Sequence, residues 1–148
     1  MTIDKIGTLT AIIVAILGGL YFLYKEYLKK QLKFRKKLQK SWTNEGDITG
    51  WKNETHFINI DITTDIEDGE ITGLIECRNL TSHEITNNIS INGKLRYKKA
   101  KIRLSGFIGG KLIIYGKAKI KIKGKLIKWK LIHGDKDLFP KITILWKN

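Results

Sequence analysis

The 148-residue sequence contains a single cysteine, Cys77, and three histidines, His56, His83 and His133. One cysteine excludes a disulfide framework, and its strand-like surroundings predict a small buried side chain in a reducing compartment. The histidines lack metal-ligand spacing to one another or to Cys77. No nucleophile elbow, phosphate-binding Gly-Lys-Ser/Thr loop or dinucleotide fingerprint is present. We therefore expect neither an enzyme nor a metal or cofactor site.

Acidic residues are half as frequent as basic ones, 14 against 28, and the net charge is +14. The two signs are also separated along the chain. Residues 41–92 hold ten acids and two basic residues, whereas residues 93–148 hold 17 basic residues and two acids. This separation of negative and positive charge predicts an anionic partner or head-to-tail self-association. The alternative is a lysine-rich face that only contacts solvent.

Charge is absent from Ile6 to Tyr24, a run of 19 residues that would form a helix of about 28 Å. Lys25 to Lys40 then carries eight Lys/Arg residues against one acid, Glu26. Basic residues beside a membrane span stay in the cytoplasm, so we expect the N-terminus outside and the remainder inside. A secretory signal peptide would carry its positive charges before the apolar run and a cleavage site after it. Only Lys5, balanced by Asp4, precedes this run, and no cleavage site follows it.

The sequence thus divides into a transmembrane anchor (1–24), a basic juxtamembrane helix (25–40) and a cytoplasmic domain (41–148). Within the anchor, small residues recur every fourth position, a spacing that lets membrane helices pack closely and predicts a homo-oligomer. These residues are Gly7, Ala11, Ala15 and Gly19. The basic helix is expected either to lie on the membrane surface or to continue the anchor into an oligomer.

From Ser41 onward the apolar residues alternate with polar ones, which predicts strands. The clearest strand runs from Lys111 to Lys123, and Asp68-Gly69 and Gly109-Gly110 indicate hairpin turns. About eight strands with short connections predict an all-β antiparallel meander that closes into a small barrel, with a β-sandwich as the alternative. Four glycines are expected to bend the strands, namely Gly73, Gly93, Gly106 and Gly116.

Ligand-binding candidates come from the scarce arginines and from aromatic residues near them. The guanidinium fork suits phosphate, and aromatic rings stack on bases, whereas core packing is the simpler role for each aromatic residue. The candidates are Arg78, Arg96, Tyr97, Arg103, Tyr115 and Trp129, with Trp51 as a further stacking ring. A lysine ladder could also track nucleic-acid backbone, but a tethered domain is not expected to bind bulk nucleic acid. The same ladder could instead lie against the inner leaflet.

The whole arrangement resembles one known family. An anchor and a basic helix precede a meander that begins with Trp42 and Trp51 and ends with Tyr115-Gly116-Lys117-Ala118, Lys128-Trp129-Lys130 and Phe139-Pro140. This order is similar to the transmembrane β-barrel effectors of bacterial cyclic-oligonucleotide (CBASS-type) antiphage defence. Described members of that family have two membrane spans, whereas this sequence has room for one.

The resemblance implies a barrel that binds a cyclic di- or trinucleotide and anchors that oligomerise and disrupt the inner membrane. The leading hypothesis is therefore a non-enzymatic, membrane-anchored sensor and effector. Two other functions stay open from the sequence: a lipocalin-like barrel that holds a lipid or small molecule, and a membrane adaptor that recruits another protein.

Overall fold

A computed structural model describes residues 3–46, 55–83 and 85–148, so the interpretation of Trp51 lies outside the described residues. One long helix, α1 (Ile3–Leu38), precedes eight strands. The strands are β1 (Ser41–Thr43), β2 (His56–Thr64), β3 (Glu70–Asn79), β4 (Ile85–Arg96), β5 (Lys99–Ile108), β6 (Lys111–Lys123), β7 (Leu126–Gly134) and β8 (Ile142–Lys147).

The eight strands form a closed antiparallel barrel in which each strand pairs with the next along the chain. The short strand β1 closes the barrel against β8, with Trp42 opposite Lys147 and Thr43 opposite Trp146. The predicted all-β barrel with one N-terminal helix is therefore confirmed, and the sandwich alternative is wrong. Closure leaves the sheet without an exposed edge along most of its length.

Close approach of neighbouring backbones requires glycine at three of the four predicted bends. At Gly116 on β6, a Cβ atom would lie 2.3 Å from the His133 carbonyl oxygen. A Cβ atom at Gly73 would lie 1.9 Å from the Asp61 carbonyl oxygen, and one at Gly93 would lie 2.4 Å from the Lys101 carbonyl oxygen. Gly73 on β3 and Gly93 on β4 thus let neighbouring strands approach where the wall curves, as bends in small barrels require.

The barrel interior is filled by side chains. Isoleucines from β2 to β7 alternate inward, and Trp129 and Phe139 are both fully buried. The Trp129 indole N–H donates to the Pro140 carbonyl oxygen at 2.9 Å, which fixes the ring inside the core. Cys77 is buried in the wall, as its surroundings predicted. A packed interior of this kind is the usual state of an eight-stranded barrel of this size.

The β5–β6 hairpin projects beyond its neighbours. The last β4–β5 pair joins Ser90 to Ser105, and the last β6–β7 pair joins Gly116 to Gly134. Between these limits β5 and β6 pair only with each other, and a register shift accompanies their departure from the barrel. Leu112 and Ile114, which share an alternation with the buried positions of β6, are consequently exposed.

Helix α1 is continuous from the apolar run through the basic run and ends at Leu38. It is long and apolar enough to cross a membrane, with a mean hydropathy of 2.2 in its most apolar window and none of that window buried against the barrel. The anchor and the basic segment are therefore one helix. Leu38 is fully buried, and its carbonyl oxygen accepts the Trp42 indole N–H at 3.0 Å, so the last turn enters the barrel core.

Candidate anion-binding face

Strand register brings basic side chains together on the outer surface of β4, β5, β6 and β7. In this barrel, residues directly opposite one another on paired strands share a face and lie about 5 Å apart at Cβ. Two rows of four basic residues and one shorter row result. They are Lys94–Lys101–Lys119–Lys130, Arg96–Lys99–Lys121–Lys128 and Arg103–Lys117. We call these ten residues the basic face.

No acidic residue lies in β4, β5, β6 or β7 to balance these charges. Among the described residues, one ion pair joins the basic face to an acid, between Lys94 and Asp68 at 4.0 Å. Like charges directly opposite one another across strands are destabilising, by about 0.2 to 1 kcal/mol per pair. In the described part of the chain, acids offset this repulsion at one edge only, where Asp68 pairs with Lys94 and Glu70 lies directly opposite Lys94 on β3. The rest of the face keeps its positive charge and suits a polyanionic partner.

Two shallow cavities lie on the basic face. One, of about 480 Å³, is lined by Lys94, Arg96, Lys99, Ala100, Lys101 and Lys119. The other, of about 520 Å³, includes Arg103, Lys101 and Lys117, the acid Glu70 of β3, and polar and apolar residues of β3, β4, β5 and β7. Lys101 borders both cavities, so they form adjoining parts of one cationic surface. Each contains one arginine, the side chain best suited to bidentate contact with phosphate.

Of the six predicted ligand residues, the structure brings Arg96 and Arg103 together on this face. Arg78 lies on β3, away from the basic face, and pairs with Glu45 at 3.4 Å. Trp129 is in the core and has no exposed surface. Tyr115 lies next to the projecting hairpin, where its ring covers Gly106.

Tyr97 occupies the turn between β4 and β5 and holds α1. Its ring stacks on Tyr27 with centroids 6.3 Å apart and meets Phe34 edge-on at 5.0 Å. The Lys98 ammonium lies 5.2 Å from the Phe34 ring and 5.5 Å from the Tyr97 ring. Tyr97 thus joins the barrel to the helix, while Arg96 and Lys99, on either side of the two-residue turn Tyr97-Lys98, line the first cavity.

Two further contacts fasten α1 to the same end of the barrel. The Arg35 guanidinium donates to the Ile66 and Glu67 carbonyl oxygens at 2.5 and 2.6 Å, in the turn between β2 and β3. The Lys37 ammonium donates to the Gly124 carbonyl oxygen in the turn between β6 and β7. All three turns at this end therefore contact the helix, and we call it the helix end of the barrel.

The small residues of the apolar run are exposed, like the rest of that part of α1. Gly7, Ala11, Ala15 and Gly19 are exposed, and nothing within 4 Å would meet a Cβ atom at either glycine. An exposed small-residue stripe suits close packing against another membrane helix.

Reasoning from the sequence did not select Lys94, Lys99, Lys101, Lys117 or Lys119 as binding residues, although it noted a lysine ladder on β6. The alternation of Lys with apolar residues in β5 and β6 was the available signal. The alternation could not give the strand register, which aligns those lysines with Arg96 and Arg103. No group of three or more His, Cys, Asp or Glu side chains that could hold a metal occurs within residues 3–46, 55–83 and 85–148.

Comparison with known proteins gives no relative, since no protein family, curated protein or solved structure matches this chain.

Proposed function

We propose that this protein is a non-enzymatic, membrane-anchored antiphage effector. Its barrel senses a cyclic di- or trinucleotide, and its oligomerised helices disrupt the bacterial inner membrane. The observation that carries the sensing role is the basic face, on which Arg96 and Arg103 lie among lysines in two adjoining cavities. The antiphage role follows from the resemblance in architecture.

Nucleotide phosphates fit this face by charge. A cyclic dinucleotide carries two phosphodiester groups, and each could contact one arginine while the lysines supply longer-range attraction. Hydrogen bonds to charged groups contribute about 1.5 to 3 kcal/mol each, so two such contacts with additional lysines are compatible with micromolar binding, about 8 kcal/mol.

Transmission to the membrane is supported by the position of the β4–β5 turn. Arg96 and Lys99 line the first cavity, and the two residues between them, Tyr97 and Lys98, contact α1. If the β4–β5 turn has two conformations, a ligand that binds one of them more tightly shifts the equilibrium toward it, and the position of α1 relative to the barrel shifts with it. The exposed stripe from Gly7 to Gly19 is then the surface through which helices cluster.

Orientation follows the positive charges beside the span. The lysines from Lys25 to Lys40 and the barrel lie on the same side of the apolar run, so we place both in the cytoplasm and the N-terminus outside. A cytoplasmic location is where a nucleotide messenger would be made.

Titration calorimetry of the full chain in detergent, against a panel of cyclic di- and trinucleotides, tests the sensing role. We expect binding to at least one of them, weakened about tenfold to hundredfold by Arg96→Gln or Arg103→Gln. Arg78→Gln is the matched control, because Arg78 pairs with Glu45 outside the basic face. Absence of heat with every nucleotide would refute the messenger role.

The effector role is tested separately. Ala15→Leu with Gly19→Leu would fill the small-residue stripe and is expected to abolish membrane damage on expression while leaving nucleotide binding intact. Unchanged damage would show that clustering through this stripe is not the effector step.

The alternative of a lipocalin-like carrier is not favoured, because buried side chains such as Trp129 and Ile120 occupy the space that a ligand would need. An adaptor that recruits an acidic protein through the basic face is the stronger competitor. It predicts salt-sensitive capture of a partner together with indifference to nucleotides.

A further inference from the structure

The height of each barrel turn above the membrane can be read from the helix residue that it contacts. Helix α1 is uninterrupted, so each residue beyond Tyr24, where the apolar run ends, adds about 1.5 Å along its axis. Tyr97 contacts Tyr27 and Phe34, whereas the turns after β2 and β6 contact Arg35 and Lys37. The β4–β5 turn therefore reaches closest to the apolar run.

The distance involved is that of the lipid headgroup layer. Tyr27 lies three residues past Tyr24, about 4.5 Å along the helix axis. Headgroups extend roughly 5 to 8 Å beyond the hydrocarbon on each side, and charges act over a further Debye length of about 8 Å. Arg96 and Lys99, on either side of the turn that contains Tyr97, lie within this range.

Charge at this end of the barrel matches an anionic surface. Arg96 and Lys99 are exposed and directly opposite each other, and Lys121 and Lys128 continue the same row. On α1, Lys30 is exposed three residues beyond Tyr27, whereas the exposed Lys29 pairs with Glu26 at 3.0 Å. Each Lys or Arg near an anionic leaflet contributes about 1 kcal/mol of attraction.

We infer that the helix end of the basic face, centred on Arg96 and Lys99, docks on the headgroups of anionic phospholipids in the bilayer that holds α1. The inference rests on the proposed membrane anchoring but not on the proposed messenger. Lipid headgroup and nucleotide share the phosphate diester as the recognised group. A barrel held against lipid through this surface would have to release it to bind a messenger there, so lipid composition would set the sensitivity of the sensor.

The full chain in lipid nanodiscs tests this docking. An Asn92→Cys variant places one reactive thiol on the basic face, opposite Arg103 and four residues from Arg96 along β4. The native Cys77 is buried, so a fluorophore at residue 92 alone reports quenching by a headgroup-labelled lipid. Discs contain phosphatidylcholine alone or with roughly a third phosphatidylglycerol. We expect at least twofold stronger quenching in the anionic discs, and loss of the difference at about 0.5 M salt.

Two charge-neutralising double variants distinguish docking through Arg96 and Lys99 from a general attraction of the positively charged barrel to anionic lipid. Arg96→Gln with Lys99→Gln should reduce quenching to the level seen in phosphatidylcholine. Lys136→Gln with Lys141→Gln removes the same charge from the opposite end, in and beside the turn between β7 and β8, and should leave quenching unchanged. Equal quenching in both lipids, or an equal effect of both double variants, would overturn the inference.

A calorimetric arm distinguishes the two sources of phosphate. Cyclic nucleotide that binds in phosphatidylcholine discs, without lipid-dependent quenching in anionic discs, would overturn lipid docking while the proposed sensor stands. Lipid-dependent quenching without any nucleotide heat would support lipid docking and refute the messenger role.

Discussion

The ring of Tyr97 stacks on the ring of Tyr27, with centroids 6.3 Å apart and planes inclined by 9°. These residues come from the β4–β5 turn and from the turn of helix that follows the apolar run. Tyr97 adopts a left-handed backbone conformation, with φ of 57°, that non-glycine residues adopt infrequently. The barrel is therefore attached to α1 by a side chain held at a specific turn, next to the candidate anion-binding cavity.

Tyr97→Ala is expected to weaken the attachment of α1. The substitution removes two aromatic contacts and one cation–π contact but keeps a non-glycine residue at the same φ, so the loss reflects the ring. Aromatic pairs contribute about 0.5 to 1.5 kcal/mol each, which predicts about 2 kcal/mol in the free energy of unfolding by denaturant. Phe107→Ala is the control, because that ring is 74% exposed, and an equal effect of the two would contradict this role.

Asn44→Ala should destabilise the junction where β1 meets β2 and β8. The buried Asn44 amide donates to the His56 carbonyl oxygen at 3.0 Å and to the Thr143 hydroxyl at 3.2 Å, and it accepts from the Ile58 N–H at 2.7 Å. Removing the Asn44 amide deprives its buried partners of a hydrogen bond, which lowers the free energy of unfolding by about 2 to 3 kcal/mol. Thermal unfolding would measure it, with the exposed Asn92→Ala as the variant expected to change little.

Lys101→Gln is expected to raise stability at low salt and to weaken anion binding. Lys101 lies directly opposite both Lys94 and Lys119, so its removal relieves two like-charge pairs, about 0.5 to 1 kcal/mol in total. The gain should vanish at about 0.5 M salt because the charges are exposed. Denaturant unfolding at two salt concentrations checks this, and Lys136→Gln serves as control. A loss of stability at low salt would show that the basic face is not under electrostatic strain.

Stability should acquire an additional pH dependence from Cys77. Burial, with a smaller contribution from the charge of Glu76, raises the pKa of the Cys77 thiol from 9.0 to about 12. The unfolded thiol therefore loses its proton first, and the folded state loses about 1.4 kcal/mol of stability per pH unit between these values. Below pH 9 the contribution is constant.

Urea unfolding of the native chain and of Cys77→Val between pH 7 and pH 10 isolates this contribution, since all other titrating groups are shared. We expect parallel curves below about pH 8.5 and a steeper decline of the native chain above it. Curves that stay parallel to pH 10 would show that the thiol ionises equally in both states.

Much of the fold was predictable because its signals are local. Alternation over Phe57–Ile62 and Lys111–Lys123 identifies strands, and Asp68-Gly69 and Gly109-Gly110 mark turns, since each depends on residues adjacent in the chain. The short connections then permit only antiparallel neighbours, and the meander follows. The long apolar helix was predictable for the same reason, because hydropathy and length are properties of one segment.

The candidate site was predictable only in part. Arg96 and Arg103 were selected for the chemistry of the guanidinium group, and both lie on the basic face. Trp129 satisfied the same sequence criterion for stacking but is in the core, because it shares its strand face with Ile127 and Leu131. Tyr97 continued an alternating strand in the sequence, whereas the structure ends β4 at Arg96 and uses Tyr97 in the turn.

By itself, the sequence determined one membrane-length helix, a basic run after it, and alternating strands with opposite charge in the two halves of the domain. These are set by composition and by spacing within single segments. Only the tertiary structure decided that basic residues of four strands form aligned rows, that α1 fastens to three barrel turns, and that the β4–β5 turn lies nearest the apolar run. Those relationships depend on strand register and on contacts between residues far apart in the chain. Backbone pairing and side-chain packing of the whole barrel select one arrangement of them.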